Sequence, residues 1–431
     1  MLGLNEKLRE LEANNAHIRV ALVGAGQMGK GMISQIMLMN GMIPSLVIDI
    51  NLENAIQSFT LAGIPKEDIV IANTLEEINV AIEKNKYVVS ENAEFASKAN
   101  LVDVVVDATG VPEVGAKVAM DTIFNKKHIV MLNVETDVVI GHILNKLAKN
   151  AGVVYTGTAG DEPGAVKELY DFADALGFDI VAIGKGKNNP VNLEANPDNV
   201  REQALKSGVS PKMLTSFKDG TKTMVEMTAM ANATGFIPDV RGGHGVSATV
   251  NELPGIYRLK EDGGILNQYK IVDYVNGVAP GVFIIVTSKL PQVHHEMQYL
   301  SMGPGPNYVL YRPYHLTSLE TPLTVARAAI YNEPTIVPLD GEPVAETITV
   351  AKKDLKAGER LDGIGGFTVY GSIETYKKAK EERLLPIGLV NKNTIVKRDI
   401  KKGEYLTYDM VELDTTTLIY KLRQLQEETI K

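Results

Sequence analysis

Three glycines in one short segment constrain the fold of this chain more than anything else in it. Gly24, Gly26 and Gly29 lie in Gly-Ala-Gly-Gln-Met-Gly, directly after the apolar run His17–Val23 and at the opening of a helical pattern. A strand that meets a helix on this spacing must turn sharply, expose bare backbone and pack the helix closely, and one glycine serves each need. Gln27 and Met28 complete the first helical turn, whose amides have no partner within the helix and attract an anion. A second apolar run, Ser45–Asp49, ends in a carboxylate about 20 residues beyond the last glycine, where such a group can hold a ribose. Gly24, Gly26, Gln27, Met28, Gly29 and Asp49 are therefore expected to bind a dinucleotide. Asp49 opposes a 2′-phosphate, which favours NAD(H) and leaves NADP(H) open. Gly24–Lys30 also fits the opening of a P-loop, but Gly31 stands where Ser or Thr would hold magnesium, and that reading fails.

Further apolar runs continue the pattern: Ile69–Ile71, Val102–Val106, His128–Leu132 and Val153–Tyr155, with helical stretches at Gly31–Met39 and Pro112–Asn125 between them. Strands separated by helices imply an α/β fold with a Rossmann-type, doubly wound parallel sheet. Beyond Glu162 the order becomes mixed: a helix at Gly164–Leu176, a strand at Ile180–Ile183, a Gly/Asn-rich turn over Gly184–Pro190, a helix at Thr221–Ala233 and a strand at Val282–Thr287. An α+β catalytic domain is expected there. Near the end, Val350-Ala-Lys-Lys-Asp354-Leu-Lys-Ala-Gly358-Glu359-Arg-Leu361 recurs as Val396-Lys-Arg-Asp399-Ile-Lys-Lys-Gly403-Glu404-Tyr-Leu406. Two copies of so short a unit predict a small β-rich module rather than a solenoid. The expected domains are residues 1–160, 161–338 and 339–415, with a terminal helix over 416–431.

Composition removes several classes of function. The 431 residues include no cysteine, which excludes disulfides, thiolate nucleophiles and cysteine-bound metals. A net charge of −9 gives no basis for holding nucleic acid. No apolar run reaches the roughly 20 residues that cross a bilayer, and the start carries early acidic residues and no apolar segment of a signal peptide. A cytoplasmic enzyme acting on a small molecule, as a homo-oligomer and without a membrane partner, is the expectation.

Asp107-Ala108-Thr109-Gly110-Val-Pro-Glu-Val-Gly-Ala116, Glu135-Thr-Asp137 and Gly160-Asp-Glu-Pro-Gly164 resemble the homoserine-dehydrogenase-like oxidoreductases. The C-terminal repeat, with Leu385–Val390 between its copies, resembles a SAF (antifreeze-like, β-clip) domain. The pairing is similar to the 1-deoxy-D-xylulose 5-phosphate reductoisomerase-like enzymes, and it covers nearly the whole chain. The resemblance implies NAD(P)H-dependent reduction of a phosphorylated sugar, a step of isoprenoid biosynthesis. The Asn-Lys of homoserine dehydrogenases is here Asn133-Val134, followed by Glu135, and the missing lysine counts against aspartate semialdehyde as substrate. A homoserine-dehydrogenase-like reductase of a semialdehyde or hydroxy acid, and a non-catalytic dinucleotide sensor, are the rival readings.

Ala108, Thr109, Gly110 and Asn133 follow strand ends and join the expected cofactor site, because strand carboxyl ends line the ligand crevice in such sheets. Carbonyl reduction needs a proton source and donors at the developing alkoxide. Lys185 and Lys187, in their glycine turn, are expected to supply these, since burial lowers a lysine pKa. Glu162 is the expected assistant, the matching acidic residue of the dehydrogenase family being a substrate contact. Asn188, Asn189, Arg241, His244, Arg312 and His315 are the expected substrate contacts, with Arg241–Gly245 read as a flexible closing loop and Arg312 suited to an anionic group. Glu135 and Asp137 are candidates for acid–base transfer. A divalent metal on Glu135, Asp137, Glu162 or a histidine has no ligand spacing in its support, and adjacent His294 and His295 make a poor metal pair.

Overall fold

The computed structural model describes residues 3–430. The chain divides into two compact units: residues 1–161, 316–337 and 417–431 in the first, and 162–315 and 338–416 in the second. The chain thus crosses between units more often than a linear three-domain reading expects. Residues 316–337 return to the first unit, and the repeat-bearing module shares the second.

Seven parallel strands build the first unit: β1 (Ile18–Val23), β2 (Met42–Ile48), β3 (Ile69–Ile71), β4 (Tyr87–Ser90), β5 (Val104–Asp107), β6 (His128–Met131) and β7 (Tyr155–Gly157), in the order β3-β4-β2-β1-β5-β6-β7. The central strands are buried on both faces, which is why their sequences read as unbroken Val/Ile/Leu runs. Leu22, Met32, Ile33, Val47, Val104 and Val106 form one core with the helix Gln27–Ile36. Strand β4 escaped the sequence reading. It is four residues long, opens on half-exposed Tyr87 and ends in Ser90, so it lacks a full apolar signature. The runs expected as fourth and fifth strands are therefore β5 and β6. The terminal helix Leu418–Thr429 belongs to this unit, where the Glu113 carboxylate accepts from the amides of Leu418 and Ile419 and so caps it.

In the second unit, β8 (Asp179–Lys187), β9 (Ile237–Pro238), β10 (Ile271–Asn276), β11 (Val282–Thr287) and β12 (Tyr308–Arg312) form a mixed sheet in the order β12-β11-β8-β10-β9. β8 is parallel to β10 and antiparallel to β11. The helices Glu162–Ala175 and Thr221–Thr234 cover one face through Ala165, Val166, Met224, Met227 and Met230. The repeat forms the small module, with β13 (Ala345–Ala351) against β14 (Val369–Thr375) and β15 (Ile395–Val396) against β16 (Val411–Glu412). Its two copies exchange partners about a local twofold. Asp399 accepts from the Ala357 amide and the Lys356 ammonium, and Asp354 accepts from the Lys402 amide and the Lys401 ammonium. Among the described residues, no helix is long and apolar enough to cross a membrane.

Candidate active site

In the first unit the three glycines meet three separate demands. Gly24 has φ +98°, and a Cβ there would lie 2.8 Å from the Ala108 carbonyl carbon. A Cβ on Gly29 would fall 2.2 Å from the Gly24 carbonyl oxygen, so this glycine allows helix and strand to close. Gly26 faces open space, with nothing within 4 Å, and Gln27 and Met28 are exposed beside it. That opening is where a pyrophosphate can approach the first-turn amides. The Asp49 carboxylate stands at the end of β2, accepting from the amides of Ala25 (2.7 Å) and Asn51 (2.8 Å). Lys30 points away, donating to Asn54 and Gln57, which disposes of the P-loop reading structurally as well.

Ala108, Thr109 and Gly110 follow β5 beside Gly24. Asn133 departs from its expected role. It is fully buried, its amide donates to Asp107 (2.9 Å), Thr109 and the Val111 carbonyl, and its oxygen caps the helix Val134–Ala151 by accepting from Thr136. Its side chain braces the strand ends and leaves no donor for a cofactor. Glu135 and Asp137 lie in that helix's first turn. Asp137 accepts from the Tyr155 hydroxyl at 2.7 Å, and burial pushes its carboxyl up to about 6.

The second unit gathers the catalytic candidates on β8. Lys185 and Lys187 lie within the strand, not in the expected turn, and the glycines explain the difference. A Cβ on Gly184 would sit 2.4 Å from the Asp273 carbonyl oxygen, and one on Gly186 2.3 Å from the Ala279 nitrogen. These glycines admit neighbouring backbone and side chains on one face. The strand's alternation then directs Lys185 and Lys187 to the other, beneath the two helices.

Lys185 is buried and donates to Glu162 at 2.7 Å and to Glu226. Burial alone would lower its pKa, but the two carboxylates outweigh it and hold the ammonium above the ordinary lysine range. Lys185 is therefore a fixed cation, contrary to the expectation of a lowered value. Lys187 meets that expectation: burial and then the Lys185 charge pull it below the ordinary range. Its ammonium donates to the Phe217 carbonyl at 2.7 Å, at the C-terminal end of the helix Pro211–Lys218. Burial and Glu162 together push the Glu226 carboxyl up, against the pull of Lys185. The sequence reading missed Glu226. Its signal was a lone carboxylate in Met224-Val-Glu-Met-Thr-Ala-Met-Ala, a run too apolar and small to be anything but buried. The Lys185 ammonium occupies the space between the Glu162 and Glu226 carboxylates, so a divalent cation there would have to displace it.

His315 joins this group. Its Nε2 is 3.4 Å from Glu162, and its Nδ1 donates to the Pro280 carbonyl at 2.6 Å. Asn188 and Asn189 are exposed just past the strand end. Arg312 is in register with Lys185 across β11, both pairing with Val282, but it donates to Glu168 at 3.0 Å and stacks on Tyr314. Arg241 is held elsewhere, donating to Glu374 and Glu382 and lying over the Tyr405 ring. It braces the small module rather than waiting for substrate. His244 is fixed on Asp239 at 2.7 Å. The loop around it is pinned, not flexible: buried Asp273 accepts from the amides of His244 and Gly245 and from the Tyr257 hydroxyl. His294 bonds Tyr308 and the Ser288 carbonyl, while His295 is exposed, so the two do not converge.

No curated protein matches the chain. Among solved structures it is similar to scyllo-inositol dehydrogenase from Lactobacillus casei with bound cofactor NAD(H) and scyllo-inositol, at 11% identity over 75% of this chain and 92% of that one, TM-score 0.41. It is also similar to UDP-N-acetylglucosamine 3-dehydrogenase GnnA from Acidithiobacillus ferrooxidans, at 12% identity over 74% and 92% of the two chains, TM-score 0.41. Residues 160–321 match the family model described as the catalytic domain of oxidoreductase DRL, a segment that holds Glu162, Lys185, Lys187, Glu226 and His315. The middle of the chain is an oxidoreductase catalytic domain.

Proposed function

We propose that this protein is an NAD(P)H-dependent oxidoreductase that reduces the carbonyl of a small hydroxylated substrate, with NAD(H) favoured. One observation carries the reading: two lysines on one strand face have opposite environments, one locked as a cation and one held low. Groups pushed apart in this way divide acid–base from electrostatic work. Gly24, Gly26 and Gly29 with the first-turn amides would hold the pyrophosphate, and Asp49 a ribose. When bound, a reduced nicotinamide supplies the hydride. Lys187 delivers the proton to the carbonyl oxygen, so that hydride and proton together give the alcohol. Lys185 supplies fixed positive charge for the developing alkoxide, and Glu162 and Glu226 keep it in place. His315 adds a second group on Glu162.

Arg241 and Arg312 already have carboxylate partners, which supports a substrate recognised by hydroxyl and carbonyl groups more than by a phosphate clamp. A phosphorylated-sugar reductoisomerase is the second reading. The raised Glu226 carboxyl beside Lys185 favours it, because a carboxylate of elevated pKa can accept the hydroxyl proton that carbon-skeleton rearrangement must move. The test is loss of reduced-nicotinamide absorbance with 1-deoxy-D-xylulose 5-phosphate, the dephosphorylated ketose, an inosose and aspartate semialdehyde. Turnover of either ketose supports the reading, and the phosphate preference chooses between its two forms. No oxidation of NADH or NADPH by any of them would defeat both.

A further inference from the structure

The helix Thr221–Thr234 presents two chemically different faces. Thr228 and Asn232 each lie within about 20° of Thr221 around the helix axis, and Glu226 lies about 140° from Thr221. All three polar residues dock on the C-terminal β module. The Thr221 hydroxyl accepts from the Gly371 amide at 2.9 Å, and Thr228 and Thr347 share a hydrogen bond at 2.8 Å. The Asn232 side-chain oxygen accepts from the amides of Val344 and Ala345 at 2.9 and 3.1 Å. Gly371 is needed there because a Cβ would sit 2.9 Å from Thr347 and 3.0 Å from Thr221. The module therefore grips the back of the helix whose front carries Glu226.

A buried charge extends the grip. Lys352, just past β13, is buried, and its ammonium donates to Asp219 (2.7 Å), the Gly366 carbonyl (2.9 Å) and the Ala195 carbonyl (3.0 Å). Three donors meet three acceptors, so the desolvated ammonium is fully satisfied. Asp219 is itself buried, and its other oxygen accepts from the Thr221 amide at 2.9 Å. It ends the helix Pro211–Lys218, two residues after Phe217, whose carbonyl receives the Lys187 ammonium. Breaking one partner of a buried pair strands a charge, and surface packing needs no such arrangement.

We propose that the C-terminal β module completes the catalytic site, with Lys352 a positioning residue that fixes Asp219 and the Phe217 carbonyl and so holds Lys187 in place. The inference rests on the assignment of Lys187 to proton transfer. The groups that act on Lys187 are Lys185, which pushes its pKa down, and Glu226, Asp219 and Glu162, which pull it up.

Lys352→Met alone strands Asp219 and risks misfolding, so the test uses Lys352→Met with Asp219→Asn, which removes both charges and keeps the acceptor for Thr221. Lys402→Ala, which breaks the exposed Lys402–Glu194 pair between the module and the rest of the unit, is the control. In full-length protein with 13C-labelled lysine, the Lys187 signal is the one lost in Lys187→Arg, and its titration midpoint is followed. The double variant is expected to lower that midpoint by half a unit or more and to reduce kcat tenfold with KM within twofold, while Lys402→Ala changes neither. An unmoved Lys187 midpoint overturns the proposal, whatever happens to kcat. A lowered midpoint alone reports the lost Asp219 charge, so a lowered midpoint with unchanged kcat overturns the positioning, while an unchanged kcat in Lys187→Ala, which keeps Lys352 and Asp219, removes Lys187 from the proposed chemistry, so the two failures are told apart.

Discussion

Lys185→Met is the sharpest test of the buried charge cluster. The substitution keeps the length of the side chain and removes the cation that two carboxylates share. Glu162 and Glu226 bring oxygens within 4.8 Å of each other, with side chains only 13% and 2% exposed. At an effective dielectric of about 20 their mutual repulsion is about 3–4 kcal/mol. Losing one partner of a buried ion pair costs about 3–5 kcal/mol on measured precedent, in agreement. The variant should melt roughly 10 °C below the parent at pH 7.5 by calorimetry.

The pH dependence has a definite sign. Burial and Glu162 push the folded Glu226 carboxyl above its unfolded value of 4.5, and Lys185 is what restrains it. Without Lys185 the folded value rises further. A carboxyl raised in the folded state stabilises the fold below its unfolded pKa, and that contribution is lost as pH climbs through the folded value. The gap between variant and parent should therefore narrow from pH 7.5 to 5.5. Adding Glu226→Gln to Lys185→Met should recover most of the loss at pH 7.5, because one buried carboxylate then remains. Equal melting of Lys185→Met and parent at pH 7.5, or a gap unchanged at pH 5.5, refutes the reasoning.

Other outcomes follow from the same geometry. Lys187→Ala should lower kcat/KM for carbonyl reduction by about 10²–10⁴-fold. In the parent, kcat/KM should fall as pH rises through a value below the ordinary 10.5 for lysine, since the donor must be protonated. Steady-state kinetics from pH 6 to 10 decides it, and a profile flat to pH 10 excludes Lys187 as donor. Gly26→Ala should weaken cofactor binding at least about tenfold, equal to about 1.4 kcal/mol, with melting nearly unchanged, because its methyl enters open space. Gly29→Ala should instead cost about 1–3 kcal/mol of stability, because its methyl would meet the Gly24 carbonyl at 2.2 Å. Asp49→Asn keeps an acceptor for the Ala25 amide and removes the charge, so titration calorimetry should show NADPH gaining on NADH by about tenfold.

Residues adjacent in sequence wrote the first half of the fold. The glycine spacing, the apolar runs that became β1, β2, β5 and β6, and the carboxylate ending β2 each depend on local geometry, a strand feeding a helix across one tight turn. A buried parallel strand needs a continuous apolar run, so it announces itself, and β4 stayed hidden because it is short and ends in polar Ser90. The twin motifs of the C-terminal repeat were equally plain, since each aspartate caps the other copy.

The chemistry depended on contacts that no spacing encodes. Gly184 and Gly186 read as a turn, yet they serve close packing, and only the positions of Asp273 and Ala279 reveal which. Lys185 and Lys187 are two residues apart and alike in sequence, but carboxylates from two distant segments hold the first above the ordinary range, while burial and the Lys185 charge draw the second below it. Arg241, Arg312 and Asn133 had the right functional groups for binding, and the fold had already given each of them a partner. A charged side chain's role is set by what desolvates and pairs it, and those neighbours come from anywhere in the chain.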